Sequence, residues 1–200
     1  MSRKVLAVVG AAVAAAVFFA AAPPAQAVVE TGPWTSYSPS FNVQQAGCGT
    51  VSGSTFRLSC TAASGEQRAE RRYVTYTSGV RQFEGSFRIT SMTGSRISLK
   101  QTFGPAGPFF MLAVENGGRL YAVHGGTTLA TGATVGATVR VNTVHNTGNG
   151  AHRTYINGSN RHTQTGGSGG YYDKLGAYRT ASGNGPATVV WSGIQFWTRG

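Results

Sequence analysis

The chain has 200 residues, with 17 lysines and arginines against 6 acidic residues, 29 glycines and 2 cysteines. That length supports one domain with a real core, while a charged fraction of 12%, against about a quarter in ordinary globular chains, excludes a solvated helical bundle or coiled coil. A formal charge of +11 makes a polyanion the natural partner, whether nucleic acid, anionic membrane or acidic polysaccharide.

A leader opens the chain. Arg3 and Lys4 precede an almost wholly apolar run over 5–22, and Ala25-Gln26-Ala27 reads as an A-x-A cleavage site. Small residues directly after the apolar run mark a secretory signal peptide over 1–27 rather than an anchor. No later stretch approaches the ~20 apolar residues that a spanning helix needs. The mature chain is expected to begin near Val28, to keep 15 basic residues against 6 acidic, and to be extracellular. Export also bears on Cys48 and Cys60, which are expected to pair as a disulfide in an oxidising compartment. Closing so short a loop contributes roughly 3 kcal/mol in the chain-entropy picture.

Residues 28–200 read as a single β domain. From about residue 40 onward, short alternating runs are broken by Gly, Asn or Ser. Phe83, Gly85, Phe87 and Ile89 alternate with Gln82, Glu84, Ser86 and Arg88. Runs at 96–103, 109–115, 119–124, 138–145 and 152–156 behave alike, Asn157-Gly158 is a hairpin-turn signal, and 174–179 and 188–197 complete the series. Closely spaced strands with almost no helical period predict a two-sheet antiparallel β-sandwich or jelly roll. The glycine-rich stretches 104–108 and 163–170 are expected to be loops, either connectors or lids over a groove.

Three segments carry chemistry. In Arg68-Ala69-Glu70-Arg71-Arg72, a strand would put Arg68, Glu70 and Arg72 on one face. Two guanidiniums flanking a carboxylate form a rigid cation site able to grip a second, incoming carboxylate, or else a solvated charged strand. In 98–104, Gln101 shares a face with Leu99 and Phe103, as either a satisfied core amide or a polar contact in a groove. In 172–179, Tyr172, Lys174, Gly176 and Tyr178 share a face. A phenol with a pKa near ~10 needs cations close by to act as a base near neutrality. Glu84 is read as the partner of Arg81 or Arg72 in the groove wall, where it would orient an arginine.

Together these segments resemble the family 7 polysaccharide lyases, the alginate lyases. The run 68–72 is similar to that family's R-[ST]-E-L-R motif, and Gln101-Thr102-Phe103 stands where it has Q-[IV]-H. YDKLGAY over 172–178 is similar to Y-F-K-A-G-V-Y, matching at Tyr172, Lys174, Gly176 and Tyr178. The three fall in the family's order, and 190–196 is similar to its closing strand. The resemblance implies a concanavalin-like jelly roll that cleaves a uronic-acid polymer by β-elimination, leaving a C4=C5 double bond. Arg68 and Gln101, with Arg72 in support, would neutralise the sugar carboxylate so that the C5 proton becomes acidic. Tyr178 would act as acid, or as acid and base. Lys174, Glu70, Tyr172 and Glu84 would complete the substrate site, with no metal and no organic cofactor.

One departure is substantial: Phe103 occupies the position of the family's catalytic histidine, and phenylalanine cannot move a proton. Either Tyr178 serves alone on one sugar face, or His124, His145, His152 or His162 substitutes from another strand. The change leaves glucuronan and other polyuronates as open as alginate. The alternative is a non-catalytic carbohydrate-binding jelly roll. Nucleic acid is not expected as a partner, because the basic residues are scattered and no recognition motif is present. A glycoside hydrolase would need a carboxylate pair that six dispersed acids do not suggest. The expected partner is therefore an anionic polysaccharide, with no membrane after leader removal and the chain acting as a monomer.

Overall fold

The computed structural model describes residues 29–61, 66–179, 183 and 185–200; the leader expected over 1–27 lies outside them. One antiparallel sheet, the backing sheet, is ordered β13 (Ser159–Gln164), β12 (Ala151–Ile156), β11 (Thr138–Asn146), β6 (Val80–Met92), β15 (Ala187–Arg199), β4 (Thr55–Leu58) and β3 (Gly49–Ser52). A short β1 (Thr35–Tyr37) also pairs with β15. The second sheet is ordered β10 (Thr128–Ala130), β9 (Leu120–Ala122), β8 (Gly107–Glu115), β7 (Arg96–Gly104), β14 (Tyr172–Tyr178), β5 (Arg68–Tyr73) and β2 (Phe41–Ala46). The chain is thus a two-sheet antiparallel jelly-roll sandwich.

Period-2 alternation explains where the core sits. Phe83, Phe87 and Ile89 from β6, Trp191 from β15, and Phe56 and Leu58 from β4 point inward. They meet Ala69, Leu112, Leu175 and Ala177 of the second sheet. Each large apolar side chain removed from water contributes about 1.5–3 kcal/mol, which holds the sheets face to face. Cys48 and Cys60 form the disulfide, with their Cα atoms 5.7 Å apart, and so close the β3–β4 hairpin. Asn157 (φ 51°) and Gly158 (φ 84°) form the β12–β13 turn with both residues left-handed, as Asn-Gly favours.

Both expected loops are present but shorter than the sequence suggests, at 105–106 and 165–170. The stretch 104–108 is no lid: Gly104 pairs with Gly107, leaving Pro105 and Ala106 as a tight turn between β7 and β8. Thr163 and Gln164 finish β13, and Gln164 Nε2 donates to the Phe109 carbonyl at 2.6 Å, fastening this edge to the second sheet. Strands β1, β3, β4, β10 and β13 carried no alternating signal, being only 3–6 residues long.

Candidate active site

The registers bring the three chemical segments together. β14 lies between β5 and β7, with Lys174 opposite both Arg72 and Gln101, Tyr172 opposite Phe103, and Tyr178 opposite Arg68. Segments more than a hundred residues apart in sequence become neighbours on one face of three adjacent strands. Gly176 makes the β14–β5 approach possible. Its φ is +146°, and a Cβ there would collide with the Ala69 carbonyl of β5.

Glu70 is the centre of this face. It is 2% exposed. Its Oε1 accepts from Gln101 Nε2 at 2.5 Å and its Oε2 from Lys174 Nζ at 3.3 Å, while Arg68 Nε lies 3.2 Å from Oε2. Burial raises the Glu70 carboxyl above its ordinary pKa, against the pull of Lys174 and Arg68. Burial likewise lowers Lys174, against the pull of Glu70. Two hydrogen-bond donors and the Arg68 guanidinium converge on one buried carboxylate and fix the placement of Gln101 and Arg68. Arg68 is also paired with Glu66, so carboxylates flank it on both sides. Arg72 differs: among the described residues no carboxylate pairs with it, and its guanidinium carbon lies 3.9 Å above the Tyr172 ring. The Tyr178 ring sits 5.4 Å from the Arg68 guanidinium carbon, half-buried at the same end of β5.

Phe103 is half-buried on this face. It stacks on Tyr172 with ring centroids 5.0 Å apart and planes within 6°, and Lys174 Nζ lies 4.9 Å from its centroid. Gln101 does not share its face with Leu99 as alternation predicts. A register shift between Ser98 and Lys100 turns Leu99 into the core.

Alternation with Gln101 turns Lys100 and Thr102 into the sandwich, where sequence reading placed nothing polar. Lys100 is fully buried, and its Nζ donates to Asp173 Oδ1 at 2.5 Å. Thr102 Oγ1 donates to the same oxygen at 2.7 Å, and His152 Nε2 lies 3.2 Å from that hydroxyl. Because the Thr102 proton is used on Asp173, the network assigns the proton at this contact to His152 Nε2. A readable signal existed: Thr102 and Asp173 stand at the two positions where the similar motifs carry Ile or Val and Phe. In this chain both positions are polar, directly beneath Gln101 and Lys174.

Two expected residues are placed elsewhere. Glu84 is not in the groove wall. It stands on β6 of the backing sheet, on the opposite side of the strand from core Phe83 and Phe87, and accepts from Asn142 Nδ2 at 2.8 Å. Among the described residues no histidine stands on β5, β14 or β7. His145 and His152 face into the sandwich and are buried, and burial pushes His145 down to about 4 and His152 well below its ordinary value. His162 is on β13 of the backing sheet. His124 is exposed just beyond β9, which β8 separates from β7. Among the described residues no group of three His, Cys, Asp or Glu side chains is arranged to hold a metal ion.

No protein-family model and no curated protein matches the sequence. Solved structures do match. An alginate lyase of polysaccharide lyase family 7 superposes with a TM-score of 0.60 at 19% identity, over 82% of this chain and 85% of that one. An alginate lyase from Corynebacterium sp. gives 0.59 at 19% identity, over 71% and 75%. One from Pseudomonas aeruginosa gives 0.57 at 19% identity, over 78% and 88%. At such identities the likeness is one of fold, and the fold this chain shares is that of the alginate lyases.

Proposed function

We propose that the chain is a secreted lyase that cleaves an acidic, uronic-acid polysaccharide by β-elimination. The observation that carries this reading is the convergence of Arg68, Arg72, Gln101 and Tyr178 on one face of β5, β14 and β7. Two further structures of similar fold, family 7 alginate lyases described with product and with substrate, support an anionic polysaccharide as the ligand.

In this mechanism the sugar carboxylate lies against Gln101 and the arginines. Gln101 keeps one amide N–H beyond the one given to Glu70, and Arg72 brings a charge that no protein carboxylate has taken. Neutralising that carboxylate stabilises the negative charge that develops as the C5 proton leaves. Tyr178, beside Arg68, takes the C5 proton on its phenolic oxygen. The C5–H electrons form the C4=C5 bond, the C4–O4 bond breaks, and the departing O4 receives the proton from Tyr178. One group performs both transfers, so H5 and O4 must lie on the same face of the sugar. D-mannuronate and D-glucuronate polymers meet that requirement. Incubation of the mature protein with alginate, polymannuronate, polyguluronate, glucuronan and hyaluronan, followed by ultraviolet absorbance, tests this. Absorbance should rise on a mannuronate or glucuronate polymer.

The second reading is a carbohydrate-binding jelly roll without activity. It is favoured by Phe103 filling the histidine position and by the absence of any histidine from β5, β14 and β7. It requires retained polymer binding with no absorbance change on all five polymers.

A further inference from the structure

Behind the groove, β5 presents a different surface. Arg71 and Tyr73 alternate with Glu70 and Arg72 and so point to the other side of the strand. With β1, β2 and the last part of β15 they line a cavity of about 510 Å³ that opens at the side of the sandwich. A cavity of that size is large enough for a small ligand. Its wall is aromatic: Phe41 lies 5.5 Å from Tyr73, Tyr73 lies 4.6 Å from Phe196, and Phe196 lies 6.0 Å from Tyr37. Phe41 is 43% exposed on an edge strand, an unusual position for so large an apolar ring in a chain that buries its other core aromatics.

The polar lining carries one sign of charge. Arg71 stacks 4.5 Å above Phe41 and ties one nitrogen to the Gly53 carbonyl at 2.8 Å, while its Nε is buried with no hydrogen-bond partner. Arg81 lies 5.4 Å from the Tyr37 ring, beside the cavity. Among the described residues no carboxylate lines the cavity, and Asp173, whose charge Tyr37 and Tyr73 feel, is held by Lys100. Burial keeps both phenols above their ordinary pKa, so they remain O–H donors at neutral pH. The exposed Gln195 amide borders the opening.

Aromatic rings for the C–H face of a pyranose, a guanidinium for a carboxylate, and hydroxyl and amide groups for sugar hydroxyls together describe one ligand chemistry. We propose that this cavity is a second carbohydrate site that takes a uronic-acid unit and holds the polymer without taking part in elimination. The assignment of the ligand rests on the reading that the groove handles a polyuronate. Two sites on one small domain would raise the hold on a long chain through effective concentration, and would leave short fragments unaffected.

The experiment titrates tetrasaccharides of mannuronate and of glucuronate into the Tyr178→Phe protein by calorimetry, with and without Phe41→Ala or Gln195→Ala. Both of these side chains are exposed, so the fold tolerates their loss. Two binding events should become one in either cavity variant. In the protein with Tyr178 intact, Phe41→Ala should raise KM on the polymer about tenfold while leaving turnover of the tetrasaccharide unchanged, tenfold corresponding to about 1.4 kcal/mol. Unchanged stoichiometry and unchanged polymer KM in both variants overturn the second site. So does preferential displacement of the cavity-bound sugar by a nucleotide. Lack of turnover on every polymer overturns the groove reading alone, because loss of a binding event on Phe41→Ala is read without turnover. No binding of either tetrasaccharide overturns both.

Discussion

Phe103 and Tyr172 lie face to face across the β7–β14 pair, their ring centroids 5.0 Å apart, with Lys174 Nζ against the Phe103 ring. The half-buried Phe103 ring thus packs on Tyr172 and Lys174. Replacing it with Leu should lower stability by about 1 kcal/mol, the scale of a stacked aromatic pair. Polymer binding should be unchanged. Urea denaturation and a binding titration on the same sample check both halves.

Glu70 holds Gln101, Lys174 and Arg68 at once, so its charge matters more than its shape. Glu70→Gln should cost roughly 3 kcal/mol, because it leaves Lys174 buried without its counter-charge. Lys174→Met in the same chain should recover a large part of that loss. A double-mutant cycle in urea measures the coupling; additive losses would show that the two groups act independently.

Inside the sandwich, Lys100, Thr102 and Asp173 form a closed polar knot under the site. Lys100→Met alone should be strongly destabilising, since Asp173 is then buried without its cation. The triple variant Lys100→Met, Thr102→Val, Asp173→Phe removes the buried charges together and, although it leaves His152 without its Thr102 contact, should recover most of the single variant's loss. Melting temperatures of the two variants should differ widely, with the single variant the lower.

The buried histidines set an acid limit. His145 titrates at about 4 in the folded chain against an ordinary value of 6.5. The unfolded chain therefore binds more protons between those pH values, and stability rises with pH across that window. The neutral-imidazole contribution is fully present above about pH 6.5 and is lost as pH falls toward 4; for this one group it is on the order of 3 kcal/mol. His152, pushed in the same direction, steepens the slope. The urea midpoint measured from pH 7 to pH 4 should fall steadily, and His145→Gln should flatten the curve by about one proton.

The longer strands were legible because alternation extends over enough residues to be read, as in 83–89 and 96–103. What alternation cannot show is which sheet a strand joins. Glu84 lies on the opposite side of its strand from Phe83, as expected, yet β6 belongs to the backing sheet, and the residue is far from its assigned role. The resemblance grouped the Arg68–Arg72, Gln101 and Tyr178 segments, but their adjacency on β5, β7 and β14 is a product of long-range pairing. Alternation puts Leu99 on the wrong face because one bulge at Ser98–Lys100 reverses the facing of what precedes Lys100, and a bulge has no signature in side-chain pattern alone.

The central claim is that Tyr178 moves the protons of a β-elimination, and the most direct test compares the intact mature protein with Tyr178→Phe on polymannuronate and glucuronan. The account predicts a rise in ultraviolet absorbance from the new C4=C5 bond in the intact protein, and none in the variant, which still binds the polymer. Equal absorbance from both proteins, or silence from both with equal binding, would contradict it.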